Sequence, residues 1–106
     1  MVLYEDFKKL DIRVARVIEV KEHPDADKLY VLSIDTGCAT KQIVAGLRSE
    51  YSAEDLVGKK VIVIDNLESA TIRGEESNGM LLAASDDGKP VLLVPERDVP
   101  EGSPIS

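Results

Sequence analysis

Apolar positions along the chain fall into short alternating runs separated by glycine, proline and acidic turns. In "DIRVARVIEVKEH" Ile12 and Val14 alternate with Arg13. The register slips around Ala15 and resumes at Val17 or Ile18 and Val20, which predicts one long strand with a bulge, bent as barrel strands are. "HPDADK" then reads as a turn, and "LYVLSIDTG" as a second strand rich in β-branched residues. Gly37 opens the loop "GCAT", and "KQIVAGL" is a third strand, with Gly46 where the backbone bends or is closely approached. Short connections make these three an antiparallel meander. Ahead of them "YEDFKKL" predicts a single helical turn with Tyr4, Phe7 and Leu10 on one face, expected to plug part of the fold.

The clearest helix signal is "SAEDLVGKK", about two turns long, with Ser52 as the cap, Asp55 at the reciprocal position and Gly58 as the stop. "KKVIVIDNL" is an almost continuous apolar run, as in a strand covered on both faces or a closed barrel wall. "GMLLAAS" and "PVLLVP" flank "DDGK", whose Asp87 and Gly88 suit a tight hairpin turn. Pro95, Pro100 and Pro104 keep the last stretch extended or looped. These elements predict an all-β protein, a five-stranded Greek-key barrel of the OB type with one short helix. Residues 1–106 form one domain, with the barrel over 7–85 and a C-terminal extension over 86–106.

Composition changes this picture in three ways. With 43% hydrophobic but only 4% aromatic residues, the core must be built from Val, Ile, Leu and Ala. A formal charge of -7 repels polyanions at long range. Even so, a phosphate-binding face needs only a local basic cluster, so distribution outweighs the total. A lone Cys38 excludes an internal disulfide, and the lack of an N-terminal apolar run argues against a signal peptide or membrane span, which predicts a cytoplasmic protein. His23 and Cys38 make no metal-ligand set, and no metal or other cofactor is expected.

The blocks "DIRVARV", "HPDADKLYVL", "IVAGL", "LVGKKVIVIDNL", "RGEESNGMLLAAS" and "VPERDVPEG" occur in that order. Through them the chain, from Phe7 to Ser106, resembles the stand-alone tRNA-binding proteins and the related C-terminal domains or β-subunits of methionyl-tRNA synthetases. The resemblance implies an OB barrel whose C-terminal half serves dimerisation, completing the partner subunit of a homodimer. It also implies a non-catalytic module that binds the L-shaped body of tRNA without strong sequence preference, free-standing or in trans with methionyl-tRNA synthetase. By the same resemblance Lys28 and Lys41 match the family's basic positions. Asn66, Arg73, Ser77 and Met80 match the loop-and-strand motif where the family places nucleic-acid contacts. One departure stands out: after "NL" the family usually carries Lys-Pro-x-Lys, and here Glu68, Ser69, Ala70 and Thr71 stand instead.

Each candidate also has a structural reading. Gly74 and Gly79 fit backbone geometry, and Met80 fits core filling as well as ligand contact. Ser77 and Asn78 could donate to phosphate or ribose oxygens. Arg73 can fork to a phosphate or pair with Glu75 and Glu76. The window from Lys41 to Arg48 holds two basic groups and no acid, and is the candidate positive lip. Lys8, Lys9, Lys59 and Lys60 read as solvated edges, while Arg13 and Arg16 have Asp11, Glu19 and Glu22 near in sequence to neutralise them. His23 reads as a turn residue and Cys38 as a free thiol. No carboxylate pair is set against a nucleophile, metal motif or phosphate loop, so no enzyme is expected. About three phosphates neutralised per subunit would give a modest salt dependence. Two other readings use the same architecture: a homodimer binding protein or peptide in a chaperone-like role, and a purely structural dimerisation module.

Overall fold

Eleven residues of alternating pattern, Ile12–Glu22, form the strand β1 on which the rest is assembled; the computed structural model describes residues 1–106. β1 pairs antiparallel with β2 (Tyr30–Asp35) along its second half and with β4 (Lys60–Ile64) along its first half, and β3 (Thr40–Ala45) pairs with β2. A short β7 (Met80–Leu81) adds to β4, giving the sheet order β3-β2-β1-β4-β7. β3 comes round to the segment before β7: Val44 N–H donates to Ser77 Oγ and Asn78 N–H to the Gln42 carbonyl. The result is a nearly closed five-stranded antiparallel barrel of the OB type, as the strand pattern predicts.

The slip in β1 has a different cause from the one read in the sequence. Ala15 is regularly paired with Val61, and the register shift falls between Val17 and Glu19, leaving Ile18 half-exposed at the bulge. What changes near Ala15 is which face is apolar. Ala15, Val17 and Val20 turn into the main core with Leu32, Ile34, Ile43, Leu56, Val61 and Val63. Ile12 and Val14 turn the other way and join Ile62 and Ile64 in a second cluster under Leu82 and Val99. Both faces of β4 are therefore covered, which is why its sequence alternates so little.

That second cluster is closed by the C-terminal segment. Ser103 accepts from Val14 N–H, Gly102 N–H donates to the Val14 carbonyl and Ile105 N–H to the Ile12 carbonyl. The proline-rich tail thus lies along the edge of β1 that β2 leaves free. Gly37 and Gly102 permit the approach: a Cβ on Gly37 would sit 2.8 Å from the Glu101 carbonyl oxygen.

Between β3 and β4 lies α2 (Ala53–Leu56), where Ser52 Oγ accepts from Asp55 N–H and Leu56 is buried. Gly58 follows it at φ +87, as a helix stop requires. Two hairpins stand outside the barrel sheet. β5 (Ala70–Ile72) and β6 (Glu75–Ser77) turn through Arg73 and Gly74; β8 (Ala83–Asp86) and β9 (Lys89–Leu92) turn through Asp87 and Gly88. All four turn residues have positive φ, as a two-residue type I′ turn demands. The N-terminal turn forms as α1 (Tyr4–Lys8), but it plugs nothing: none of its residues is buried, and Leu3, Tyr4, Phe7 and Leu10 leave apolar surface in water.

Candidate functional site

The thirteen Lys and Arg side chains decide where an anion could be held, and eight of them already have a carboxylate oxygen within 4.0 Å. Arg13 lies on the core-facing side of β1 at the barrel's end, where it grips Asp11 at 2.6 Å and Asp65 at 3.6 Å. Its pKa is raised, first by the hydrogen bond to Asp11 and then by that to Cys38 Sγ. Arg16 and Lys60 are taken by the tail: Arg16 by Glu101 at 3.0 Å, Lys60 by Asp98 at 2.6 Å. The Asp98 hydrogen bond raises the Lys60 pKa above its ordinary value, so Lys60's contribution to this bridge is present at neutral pH and is lost as the pH rises through the raised pKa.

Lys41 shares this fate. On β3 it is the register partner of Ile34, on the side that carries Ile43 and Ala45 into the core. Its Nζ donates to the Asp65 backbone carbonyl at 2.8 Å and lies 2.8 Å from Asp65 Oδ1. Arg13, Asp65 and Lys41 thus form an ionic plug at one end of the barrel rather than a positive lip. Arg48, the other end of the expected lip, pairs with Glu22 at 3.0 Å and reaches the Ala26 carbonyl.

Five cations have no carboxylate partner, Lys8, Lys28, Lys59, Arg73 and Lys89, and of the candidates named from the sequence these include Lys28 and Arg73. Arg73 does not pair with Glu75 or Glu76; its guanidinium donates to the Asp25 backbone carbonyl at 3.3 Å. Both residues line an open groove of about 380 Å³ whose other walls are Asp25, Ala26, Asp27 and Leu29. The groove lies between the β1–β2 turn and the tip of the β5–β6 hairpin. Its two acids balance its two bases, so it offers directed donors rather than a broad positive field.

The other predicted residues divide. Asn66 is a clasp: its Oδ1 accepts from Asp11 N–H and its Nδ2 donates to the Lys9 carbonyl, both at 2.8 Å, tying α1 to the end of β4. Ser77 is 4% exposed and internally bonded, accepting from Val44 N–H and donating to the Gly79 carbonyl. Its place is in the barrel seam. Met80 is 46% exposed on β7 and so is not core filling. Gly79 beside it has φ +138, and a Cβ there would lie 2.9 Å from the Ile64 carbonyl oxygen. Asn78 and Ser69 are hydrogen-bonded to one another at the base of the β5–β6 hairpin.

Two residues hold this arrangement: Gln42, which the sequence reading passes over, and His23, which it reads only as a turn residue. Gln42 Nε2 donates to the Glu76 carbonyl and fastens β6 to β3. His23, 3% exposed, bridges the β1–β2 turn and the hairpin tip. A lone histidine at the end of a strand, just before Pro24, was its only sequence signal.

The chain is similar to known proteins along nearly all of its length. The family described as "Putative tRNA binding domain" matches residues 12–104. A methionine–tRNA ligase of Pyrococcus horikoshii is 49% identical over 104 residues, covering 98% of this chain and 14% of the ligase. The chain therefore spans about a seventh of the curated relatives it matches. Among solved structures, a MetRS-related protein from Pyrococcus horikoshii superposes with a TM-score of 0.91 at 33% identity, covering all of both chains. A CsaA chaperone protein from Picrophilus torridus superposes at 0.93 with 31% identity, again covering both chains in full.

Proposed function

The chain belongs to the tRNA-binding domain family, and on that premise we propose that it is a non-catalytic module holding tRNA by backbone and shape, free-standing or in trans with a methionyl-tRNA synthetase, in the cytoplasm. The observation that carries the reading is the fate of the cations. Of the four basic residues singled out by sequence, Lys41 and Arg48 are spent on internal carboxylates, while Lys28 and Arg73 are unpaired and line one groove. Two directed donors on a groove wall suit phosphate oxygens, which position a nucleic acid without reading its bases. Exposed Met80 supplies apolar surface on β7, and with Tyr and Phe scarce in the chain, recognition rests on shape more than on stacking.

Such a site is weak alone, and the reading includes a homodimer. Support comes from apolar surface that nothing in the chain covers: Leu3, Tyr4, Phe7 and Leu10 at the N-terminus, and Val91, Leu93 and Val94 at and beyond β9. A second copy engaging the same tRNA would recover affinity by effective concentration. Sedimentation tests this directly, with Phe7→Glu and Leu93→Glu expected to shift a dimer to monomer. A wild-type chain that sediments as a monomer at about 10 μM, well above the Kd of a stable dimer, removes the bivalent model.

Fluorescence anisotropy of labelled tRNA tests the binding itself. Saturable binding is expected at about 50 mM salt and weakening at about 200 mM. No binding at tens of micromolar protein at the lower salt sinks the proposal. The chaperone-like alternative draws support from the likeness to a CsaA chaperone protein and from the acids Glu68, Glu75 and Glu76. It predicts suppression of aggregation of an unfolded client with no tRNA titration.

A further inference from the structure

The groove's two unpaired cations sit on different pieces of chain, and the pieces are not joined by any sheet ladder. Lys28 belongs to the β1–β2 turn; Arg73 is at the tip of the β5–β6 hairpin, which forms its own two-stranded sheet. A two-stranded hairpin is marginal by itself in water. The base of this one is fastened to β3 by Gln42 and Asn78. Its tip has two attachments: the exposed Arg73 guanidinium on the Asp25 carbonyl at 3.3 Å, and the buried His23 ring on the Ile72 carbonyl at 3.0 Å.

The ring's other nitrogen fixes its state. His23 Nδ1 lies 3.0 Å from the Asp25 backbone nitrogen, which can only donate, so Nδ1 is the acceptor. The proton of the neutral ring is then on Nε2, which donates to the Ile72 carbonyl. His23 also closes its turn through its own N–H, which donates to the Leu29 carbonyl. One imidazole therefore shapes the turn that carries Lys28 and reaches across to the residue next to Arg73.

We propose that His23 is a positioning residue for nucleic-acid binding: by bridging Asp25 and Ile72 it sets Arg73 at a fixed distance from Lys28, so that the two address one ligand together. This rests on the tRNA-binding reading above. Histidine suits the task because its two nitrogens take opposite roles on opposite sides of a flat ring, whereas a shorter side chain can serve only one side.

The test is a double-mutant cycle read by tRNA anisotropy. In His23→Asn the amide oxygen can still accept from Asp25 N–H, as in an Asx turn, but the side chain is too short to reach Ile72. In His23→Gln the terminal amide N–H can reach the Ile72 carbonyl, while the turn bond is given up. His23→Asn is expected to weaken binding by about fivefold, the worth of one buried hydrogen bond. In that background Arg73→Ala should cost almost nothing more, because the guanidinium is already out of place. His23→Gln should keep the full Arg73→Ala loss. A His23 that merely stabilised the fold would show no such coupling: losses at 23 and 73 would multiply as independent sites do. Independent losses in the Asn background overturn the proposal, and so does an Arg73 loss in the Gln background as small as in the Asn one. Should His23→Asn fail to fold by circular dichroism, His23→Leu, which fills the site but makes neither hydrogen bond, takes its place in the cycle with the same expectation for Arg73→Ala. A wild-type chain that binds no tRNA removes the functional reading and this inference with it, whereas a binding chain with uncoupled losses removes only this inference.

Discussion

The division of the cations into engaged and free gives a salt dependence that can be worked before it is measured. Each phosphate neutralised contributes roughly -0.7 to -0.9 to the slope of log Kobs against log salt. Lys8, Lys59 and Lys89 are also without a carboxylate partner but do not line the groove, so with Lys28 and Arg73 as its two contacts one subunit should show about -1.4 to -1.8, and affinity falls roughly tenfold between about 50 and 200 mM salt. If Lys41 and Arg48 joined them the slope would be about -3 and the loss nearer a hundredfold. A dimer holding one tRNA with both subunits doubles every slope, but ratios between variants do not change. Lys28→Gln and Arg73→Gln should therefore each halve the wild-type slope, and Lys41→Gln should leave it unaltered. Instead Lys41→Gln should lower stability: Asp65 loses its 2.8 Å partner but keeps Arg13 at 3.6 Å, for a cost of about 1 kcal/mol rather than the several expected of an abandoned buried charge. Anisotropy titrations at four salt concentrations, with urea melts of the same proteins, supply both numbers. A Lys41→Gln slope reduced as much as that of Arg73→Gln would mean that the barrel-end ion pair opens on binding and that Lys41 is itself a phosphate contact.

Two further substitutions test the frame that holds the site. Gly79→Ala places a Cβ 2.9 Å from the Ile64 carbonyl oxygen at φ +138 and should cost about 2 kcal/mol or more in urea unfolding. Gly88→Ala, at φ +80 with open space around it, should cost only about 1 kcal/mol, so equal losses would refute the seam geometry. Gly37→Ala brings a Cβ to 2.8 Å from the Glu101 carbonyl. It should loosen the tail and speed trypsin cleavage after exposed Arg97 while barrel circular dichroism is preserved; an unchanged cleavage rate would show that the tail does not depend on this contact.

The fold was legible because its signals are local. The turn at Asp87 and Gly88, the cap at Ser52, the stop at Gly58 and the apolar run of β4 each reside within a few residues, and each appears where its pattern put it. The β1 slip was misplaced because alternation was read as one buried face, whereas the tail makes a second one over Ile12 and Val14. The site was less legible for a related reason. Whether a cation is free depends on partners far away in sequence: Asp65 for Lys41, Glu22 for Arg48 and Glu101 for Arg16. Windows of local charge therefore pointed to Lys41 and Arg48, while the free pair, Lys28 and Arg73, meets only through folding. Ser77, small and polar in a turn, has the same composition signal whether it faces a ligand or closes a barrel.

An acidic chain of this design need not be poor at holding a polyanion. Of its twenty carboxylates, Asp11, Asp35, Asp65, Asp98 and Glu101 face Arg13, Arg16, Lys41 or Lys60, so much of the charge on β1, β3, β4 and the tail is cancelled at short range. Such pairs contribute little field beyond roughly 8 to 10 Å in physiological salt. What a phosphate meets at the groove is set instead by Lys28, Arg73 and the carboxylates of Asp25 and Asp27. With those charges balanced, long-range attraction is small and the bond depends on donor geometry, which makes a single subunit a weak and fast-releasing binder. That is the regime in which a second site on the same RNA matters most. The second site multiplies the affinity by about the ratio of an effective concentration in the millimolar range to its own Kd, whether it comes from another copy of the chain or from a synthetase holding the same tRNA.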